Sequence, residues 1–526
     1  MKRKILHGCL AAVLAIALGL FFAPIQVNAA CSSLAAGTSA TQDTSVLFGH
    51  NEDDSKCPTL MRLVPRIYHE AGEAPIVSWD TGSTIPQVVG YTWAYLWSYM
   101  PGYSFSDSYL NEWGVSIASN SCSSSREVSP YDLTDGGIGY WLRRLVAERA
   151  KTAREGVKIM GELVEKFGYA ASGRTYTVAD PKEAWLFAAV AGRRWVAQRV
   201  PDHHVAFIPN YYTIRQVNLK DTRNFLACPD LISYAINKGW YDPAIGPFDF
   251  AKVYNTPSTQ GSLGNKLRHW GALRLLTGKE YPDMSDLPFS VKPNRKLSVQ
   301  DIIEVLRCHY EDTEWQWDPA LGSTHPHSYK LADGTSIRTI CTGSTQESFV
   351  MQLRNYMPAF VGNVYWRAQC RPCESVFVPW YSGILEIPAP YALGKSYRSS
   401  APPEYYDPNA AADMSSAYWA FDKMTDLVNG DYLERIGAVR DLWDEYEGTA
   451  FDLQDKVEEA ALNIYYGKRS SKWHSWHAWY NRVKDHHEAC DENEYLARWF
   501  LTRYTESGAL NAYYKTLDLI KGFEGP

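Results

Sequence analysis

The chain has 526 residues, 45% of them hydrophobic and 14% aromatic, and a formal net charge of −7. A length of this order gives about two to four domain-sized units, or one large core with an appendage. The acidic balance argues against nucleic acid and anionic membrane as partners.

Residues 1–30 read as an export signal. Lys2, Arg3 and Lys4 form a positive start, and residues 10–25 are apolar apart from Gly19 and Pro24. Val27, Asn28, Ala29 and Ala30 follow, as expected before a signal cleavage point. The apolar run is shorter than the roughly 20 residues of a transmembrane helix. No second long apolar run occurs, so an exported protein without a stable membrane span is expected, secreted or held in the cell envelope. Loss of the segment removes three positive charges and takes the net charge to about −10. Cleavage after Ala30 leaves Cys31 first in the chain, whereas cleavage after Ala29 requires a further trimming step. A lipid-modified cysteine would want an aliphatic residue three places earlier, where Asn28 stands.

The mature chain opens with strands. Residues 44–48 form a short β-rich run ending at Gly49, and 111–117 read as a turn entering a strand. Leu142, Leu145 and Val146 have helical spacing within 138–151. A second helix opens at Thr152 with Glu155 three places on, a capping box. It carries Val157, Met160, Leu163 and Val164 on one face and ends at Gly168. Three strands follow at 175–180, 184–190 and 195–200, separated as hairpin turns would separate them. A helix is predicted over 265–276, and strands near 348–353 and 375–378. Pro402, Pro403 and Pro408 mark a boundary, and the pattern is helical from Met414 onward. The chain thus divides into a signal (1–30), a main α+β unit (31–400) and a helical C-terminal extension (401–526).

Of ten cysteines, Cys9 leaves with the signal. If Cys31 is a nucleophile, eight remain, an even number compatible with disulfides in an oxidising compartment. Cys370-Arg-Pro-Cys373 has redox or metal spacing, but zinc would need a second pair at suitable spacing and none is evident. His474, His477 and the His486-His487-Glu488-Ala489-Cys490 run lack a zinc-protease pattern. No cofactor and no metal is expected.

These residues belong to a pattern. Cys31, Asp43-Thr44-Ser45, Phe48-Gly-His-Asn-Glu-Asp53, Asn111-Glu-Trp-Gly-Val115, Ala179-Asp-Pro-Lys-Glu-Ala-Trp185, Asn210, Thr345-Gln346 and Val378-Pro-Trp-Tyr381 occur in that order. The chain so marked resembles the cysteine-dependent dipeptidases of the N-terminal-nucleophile (Ntn) hydrolases, relatives of penicillin V acylases and bile-salt hydrolases. The resemblance implies a four-layer αββα sandwich, with Cys31 at the end of an inner strand and dipeptides as substrates. A related amidase or acylase would use the same centre with a different pocket. A peptide-binding surface lipoprotein is the reading from outside enzymology. Homo-oligomerisation is left open.

Residue roles follow from that resemblance. Cys31 supplies the thiol, and its own α-amine supplies the base. Their ordinary pKa values, about 8.5 and about 7.7 to 8.0, make proton transfer cheap. Asp53 would orient the amine through a charge-assisted hydrogen bond. His50 stands where the bile-salt branch has arginine and matches its charge only when protonated. Asn210 would donate to the oxyanion, with Asn120 a second candidate. Arg268 would support the active-site carboxylate or the substrate, and Glu52 could meet a dipeptide's α-amine. By position alone, Cys31 reads as half of a disulfide or a lipid anchor, and His50 to Asp54 as an acidic turn.

Overall fold

The computed structural model describes residues 31–54, 57–78, 80–103, 106–122, 125–399, 401–467 and 492–525. Residues 1–30, read above as a signal, and the His474–Cys490 region fall outside the described residues.

In chain order the strands that matter are β1 (Ser32–Ala36), β2 (Val46–Asp53), β3 (Leu60–Val64), β4 (Tyr95–Tyr99), β5 (Ser106–Asn111), β6 (Ser116–Ser121), β7 (Tyr169–Ala179), β8 (Ala184–Gly192), β9 (Trp195–Arg199), β10 (Val205–Ile208), β11 (Phe225–Ala227), β12 (Ser328–Lys330), β13 (Ser336–Arg338), β14 (Thr345–Leu353), β15 (Asn363–Gln369) and β16 (Val378–Tyr381). The helices packed on them are α1 (Trp141–Arg149), α2 (Ala153–Phe167), α3 (Leu263–Thr277), α4 (Val299–Arg307), α5 (Ala417–Gly430), α6 (Tyr432–Tyr465) and α7 (Glu492–Glu524).

Two antiparallel sheets face each other. One has six strands in the order β10-β1-β2-β14-β15-β16, the other eight in the order β11-β9-β8-β7-β6-β5-β4-β3. β1 lies against β6 and β7 across the gap. Helices α1 and α2 cover the outer face of the eight-stranded sheet, while α3 and α4 cover the six-stranded one. This is the expected αββα layering, and it explains why β2 and β14 are buried along their whole length. Both faces of each strand are covered, so neither alternates with solvent.

The α5–α7 helices pack on β15 and β16. A bidentate pair joins the two parts, Arg354 donating to Glu458 at 2.6 and 2.8 Å. Both side chains are buried. A second buried network bridges the sheets. Glu347 on β14 accepts from Arg367, Tyr365, Ser108 and Ser98, the last two from the opposing sheet. A buried charge is tolerable only when its lone pairs are so filled.

Three local expectations change. The strand predicted to stop at Gly49 runs on to Asp53. Gly49 is there for closeness: a Cβ would sit 2.6 Å from Ile302 of α4 and 2.8 Å from Leu34. The strand predicted at 375–378 starts only at Val378. Its first residues are held sideways instead, the Phe377 amide by Glu447 and the Ser375 carbonyl by Arg307 and Arg440. The capping box at Thr152 is half formed. The Thr152 hydroxyl accepts from the Glu155 amide, but the Glu155 carboxylate reaches the Lys151 amide rather than that of Thr152.

Candidate active site

Strand periodicity sorts the site residues. Ser33 pairs with His50, and Ser32 with Asn51. Side chains two apart share a face, so Cys31 and Ser33 look the same way as His50 and Glu52. That way is inward: the Ser33 hydroxyl donates to Asn120 Oδ1 on β6 of the opposing sheet. Asn51 and Asp53 look outward, and Asn51 donates to the Leu306 and Ile340 carbonyls beneath α4.

On the inner face the Cys31 thiol donates to Glu52 Oε2 at 3.0 Å. His50 Nε2 lies 3.3 Å from the same oxygen, and His50 Nδ1 lies 2.6 Å from Ser33 Oγ. The line therefore runs Cys31, Glu52, His50, Ser33, Asn120. Ser33 has one proton, which goes to Asn120, so the Ser33–His50 contact draws its proton from Nδ1. All five side chains are buried. Cys31, His50 and Glu52 have their donor atoms within 4.8 Å of one another, a set whose types could also ligate a metal.

Around the head of β1 lies a cationic frame. Arg268, on α3, donates to the Cys31 carbonyl at 2.8 Å, to Ser32 Oγ at 3.1 Å, and to Asn210 and Asn265 Oδ1 at 2.7 Å each. Burial and then the like charge of Arg338 push its pKa down to about 10, so it remains a cation at neutral pH. Arg174 on β7 is buried and interacts electrostatically with Cys31. Asn210 follows β10. Its Nδ2 donates to the Ser121 carbonyl at 2.8 Å while its oxygen accepts from Arg268, which fixes the amide orientation and leaves the second amide hydrogen of Nδ2. Asn120 Nδ2 donates to the Ile208 carbonyl at 2.9 Å.

Asp53 faces the other way. Its carboxylate accepts from Arg338 Nη2 at 2.8 Å and from Thr345 Oγ1 at 2.7 Å. Burial raises its pKa, with Arg338, Thr345 and Arg268 pulling against that. A register shift at Gln346 makes this contact, setting Thr345 opposite Asp53 and Glu347 opposite Glu52. Bulges of this kind re-aim side chains beside functional sites.

The structure thus brings Cys31, His50, Asn120, Asn210 and Arg268 to one place, with Asp53 behind the strand and electrostatically tied to Arg268. Sequence reasoning missed four partners. Glu52 as the partner of the thiol, and Ser33, each stand two residues from a named candidate on a strand, so period two would have found them had β2 been carried through to Asp53. Arg174 and Arg338 are distant in sequence and gave no signal. A cleft of about 710 Å³ opens elsewhere, between α3, α4 and α6, and is lined by Trp270, Arg274, Arg307 and Glu447 among others. None of the six predicted site residues lines it.

The αββα sandwich, with a thiol, a carboxylate and a guanidinium gathered at the head of an inner strand, is the architecture of the Ntn hydrolases. The chain matches peptidase family C69 over residues 125–445 and belongs to that family. It is similar to a probable dipeptidase of Latilactobacillus sakei, 29% identical over 415 residues that cover 77% of this chain and 82% of the relative. A probable dipeptidase of Salmonella dublin is 27% identical over 372 residues, covering 68% of this chain and 81% of that one. Among solved structures, a penicillin V acylase from Agrobacterium tumefaciens is 12% identical, with a TM-score of 0.30 over 66% of this chain and 86% of its own. The family match begins after Cys31, so the role of that residue rests on the geometry of the site.

Proposed function

We propose that the protein is an exported dipeptidase that cleaves the amide bond of a dipeptide with Cys31 as an amino-terminal nucleophile. The observation that carries this reading is the buried Cys31 thiol, hydrogen-bonded to Glu52 at the head of an inner strand, in a chain of family C69. The likeness to probable dipeptidases supports dipeptides as the substrate class.

Removal of residues 1–30 frees the α-amine of Cys31. The amine takes the thiol proton, and the thiolate attacks the dipeptide carbonyl. Asn210 donates its remaining N–H to the oxygen that becomes negative, a contribution of about 3 kcal/mol in comparable sites. Collapse expels the second residue, whose amine takes the proton back from the ammonium, and leaves a thioester. Water, deprotonated by the same amine, releases the first residue. Glu52 orients the thiol, and Asp53, neutralised by Arg338, orients the amine. Arg268 fixes the Cys31 carbonyl, so sulfur and nitrogen hold one relative position. His50 supplies the positive charge of the bile-salt branch's arginine only when both ring nitrogens carry protons, Nδ1 toward Ser33 and Nε2 toward Glu52.

Intact mass and amino-terminal sequencing of active material test the mechanism, and a panel of dipeptides, N-acyl amino acids and conjugated bile acids tests the substrate. The expected result is a chain beginning at Cys31 that hydrolyses dipeptides fastest. An acylated or extended amino terminus in fully active protein would overturn the mechanism. Preference for N-acyl amino acids would overturn the substrate class alone.

A further inference from the structure

Far from Cys31 in sequence, four segments converge on a second buried cluster. His309 follows the end of α4, His327 precedes β12, Cys341 follows β13, and Cys373 sits in the turn between β15 and β16. Their ligand atoms lie within 4.8 Å of one another, and all four residues are buried. The Cys341 and Cys373 sulfurs are 3.3 Å apart, and His327 Nε2 is 3.0 Å from the Cys373 sulfur. A disulfide would bring the sulfurs to about 2.05 Å. Two sulfurs bound at about 2.3 Å to a tetrahedral zinc would be about 3.8 Å apart, a small adjustment from what is seen.

The surroundings are arranged as a ligand sphere needs. The far nitrogen of each ring is held from outside: His309 Nδ1 lies 2.9 Å from Glu311 Oε1, and His327 Nδ1 lies 2.9 Å from Asn429 Oδ1. Such outer partners fix the tautomer and aim the other nitrogen at a metal. His309 Nε2 is buried, makes no hydrogen bond of good geometry and has the Cys373 sulfur as its neighbour. The Asn429 amide decides the state of His327. With its oxygen toward the ring, Nδ1 carries the proton and Nε2 has a lone pair to give. Turned over, the amide also satisfies Glu374 and Arg371 and meets Nδ1 with an N–H, so the metal-free cluster holds the proton on Nε2, and zinc binding requires the amide to turn and that proton to move to Nδ1.

We propose that His309, His327, Cys341 and Cys373 form a structural zinc(II) site. Two neutral imidazoles and two thiolates cancel the charge of the ion, and binding releases the two thiol protons to solvent. The four positions are filled by protein, so the site is closed and takes no part in hydrolysis. Its work is mechanical. It staples the β12–β13 hairpin, too short to stabilise itself, to α4 and to the turn before β16. That hairpin carries Arg338, the partner of Asp53.

The test is metal analysis of the purified full chain, prepared without chelator, together with cobalt(II) replacement. About one zinc per chain is expected, and the cobalt form should show a thiolate-to-cobalt band in the near ultraviolet and intense visible bands of a tetrahedral centre. Cys31→Ala should keep its zinc, which separates this cluster from the Cys31, His50 and Glu52 set. Cys373→Ser should lose the metal. Asn429→Ala, a milder change, should weaken zinc binding about 10- to 100-fold with the fold intact. Metal-free protein that takes up no cobalt overturns the proposal. So does a Cys341–Cys373 disulfide found by non-reducing peptide mapping, or zinc retained in full by Cys373→Ser.

Discussion

Cys31 and Glu52 are neighbours across the β1–β2 pair, and the thiol donates to the carboxylate at 3.0 Å within a buried inter-sheet space. A carboxylate beside a thiol opposes thiolate formation unless cations balance it. Arg268 and Arg174 stand close enough to do so. The site therefore reads as a charge-balanced cluster, and under the proposed mechanism its thiol gains a base once the Cys31 amine is freed.

The first expectation concerns that nucleophile. Cys31→Ala should lower dipeptide turnover by at least about 1,000-fold, the size of loss seen when an activated nucleophile is deleted. Circular dichroism and the thermal midpoint should stay near the parent values, because the change removes one small buried atom. Turnover equal to the parent's would eliminate Cys31 from the chemistry.

Asn210→Asp separates orientation from catalysis. The new carboxylate can still accept from Arg268, but it loses both the bond to the Ser121 carbonyl and the N–H proposed for the oxyanion. The rate constant kcat should fall about 100- to 1,000-fold, with KM little changed. A variant whose loss lies in KM alone would mean that Asn210 only binds substrate.

Stability tests the attachment of the helical segment. Glu458→Leu strands the buried Arg354 guanidinium and should cost about 3–5 kcal/mol, read as a lower urea midpoint. Adding Arg354→Met should recover most of the loss, since an apolar pair leaves no unpaired charge. If the double variant is no better than the single one, the pair matters for its geometry rather than its charge.

Acid should weaken the scaffold that carries Arg268. His269, the next residue on α3, has its pKa pushed down from 6.5 to about 3 by burial and then by the charge of Arg215. Nδ1 lies 2.7 Å from the Tyr211 hydroxyl. A depressed histidine gives stability that is complete above the unfolded pKa and drains away as pH falls from about 6.5 toward 3, by up to about 1.4 kcal/mol per pH unit. His269→Gln should flatten the fall in urea midpoint between pH 7 and pH 5. An unaltered slope would place the acid sensitivity elsewhere.

Much of the architecture could be read in advance where one element's pattern suffices. The β7–β8–β9 hairpins and the helices α2 and α3 follow from local periodicity and turn residues. Errors came where distant groups intervened. Gly49 looks like a strand end, but its missing side chain makes room for α4. Residues 375–377 have strand character, yet Glu447, Arg307 and Arg440 take their backbone groups first.

The same division holds for chemistry. Residue types and order along the chain singled out Cys31, Asp53, Asn210 and Arg268, because a family motif is a linear object. Only folding decided which face each side chain uses. It turned Glu52 rather than Asp53 toward the thiol, brought Arg174 and Arg338 from remote strands, and gathered His309, His327, Cys341 and Cys373 from four loops. Period two along a strand can be counted from sequence, but the pairing of strands and the packing of sheets join residues hundreds of positions apart, and no local pattern encodes those distances.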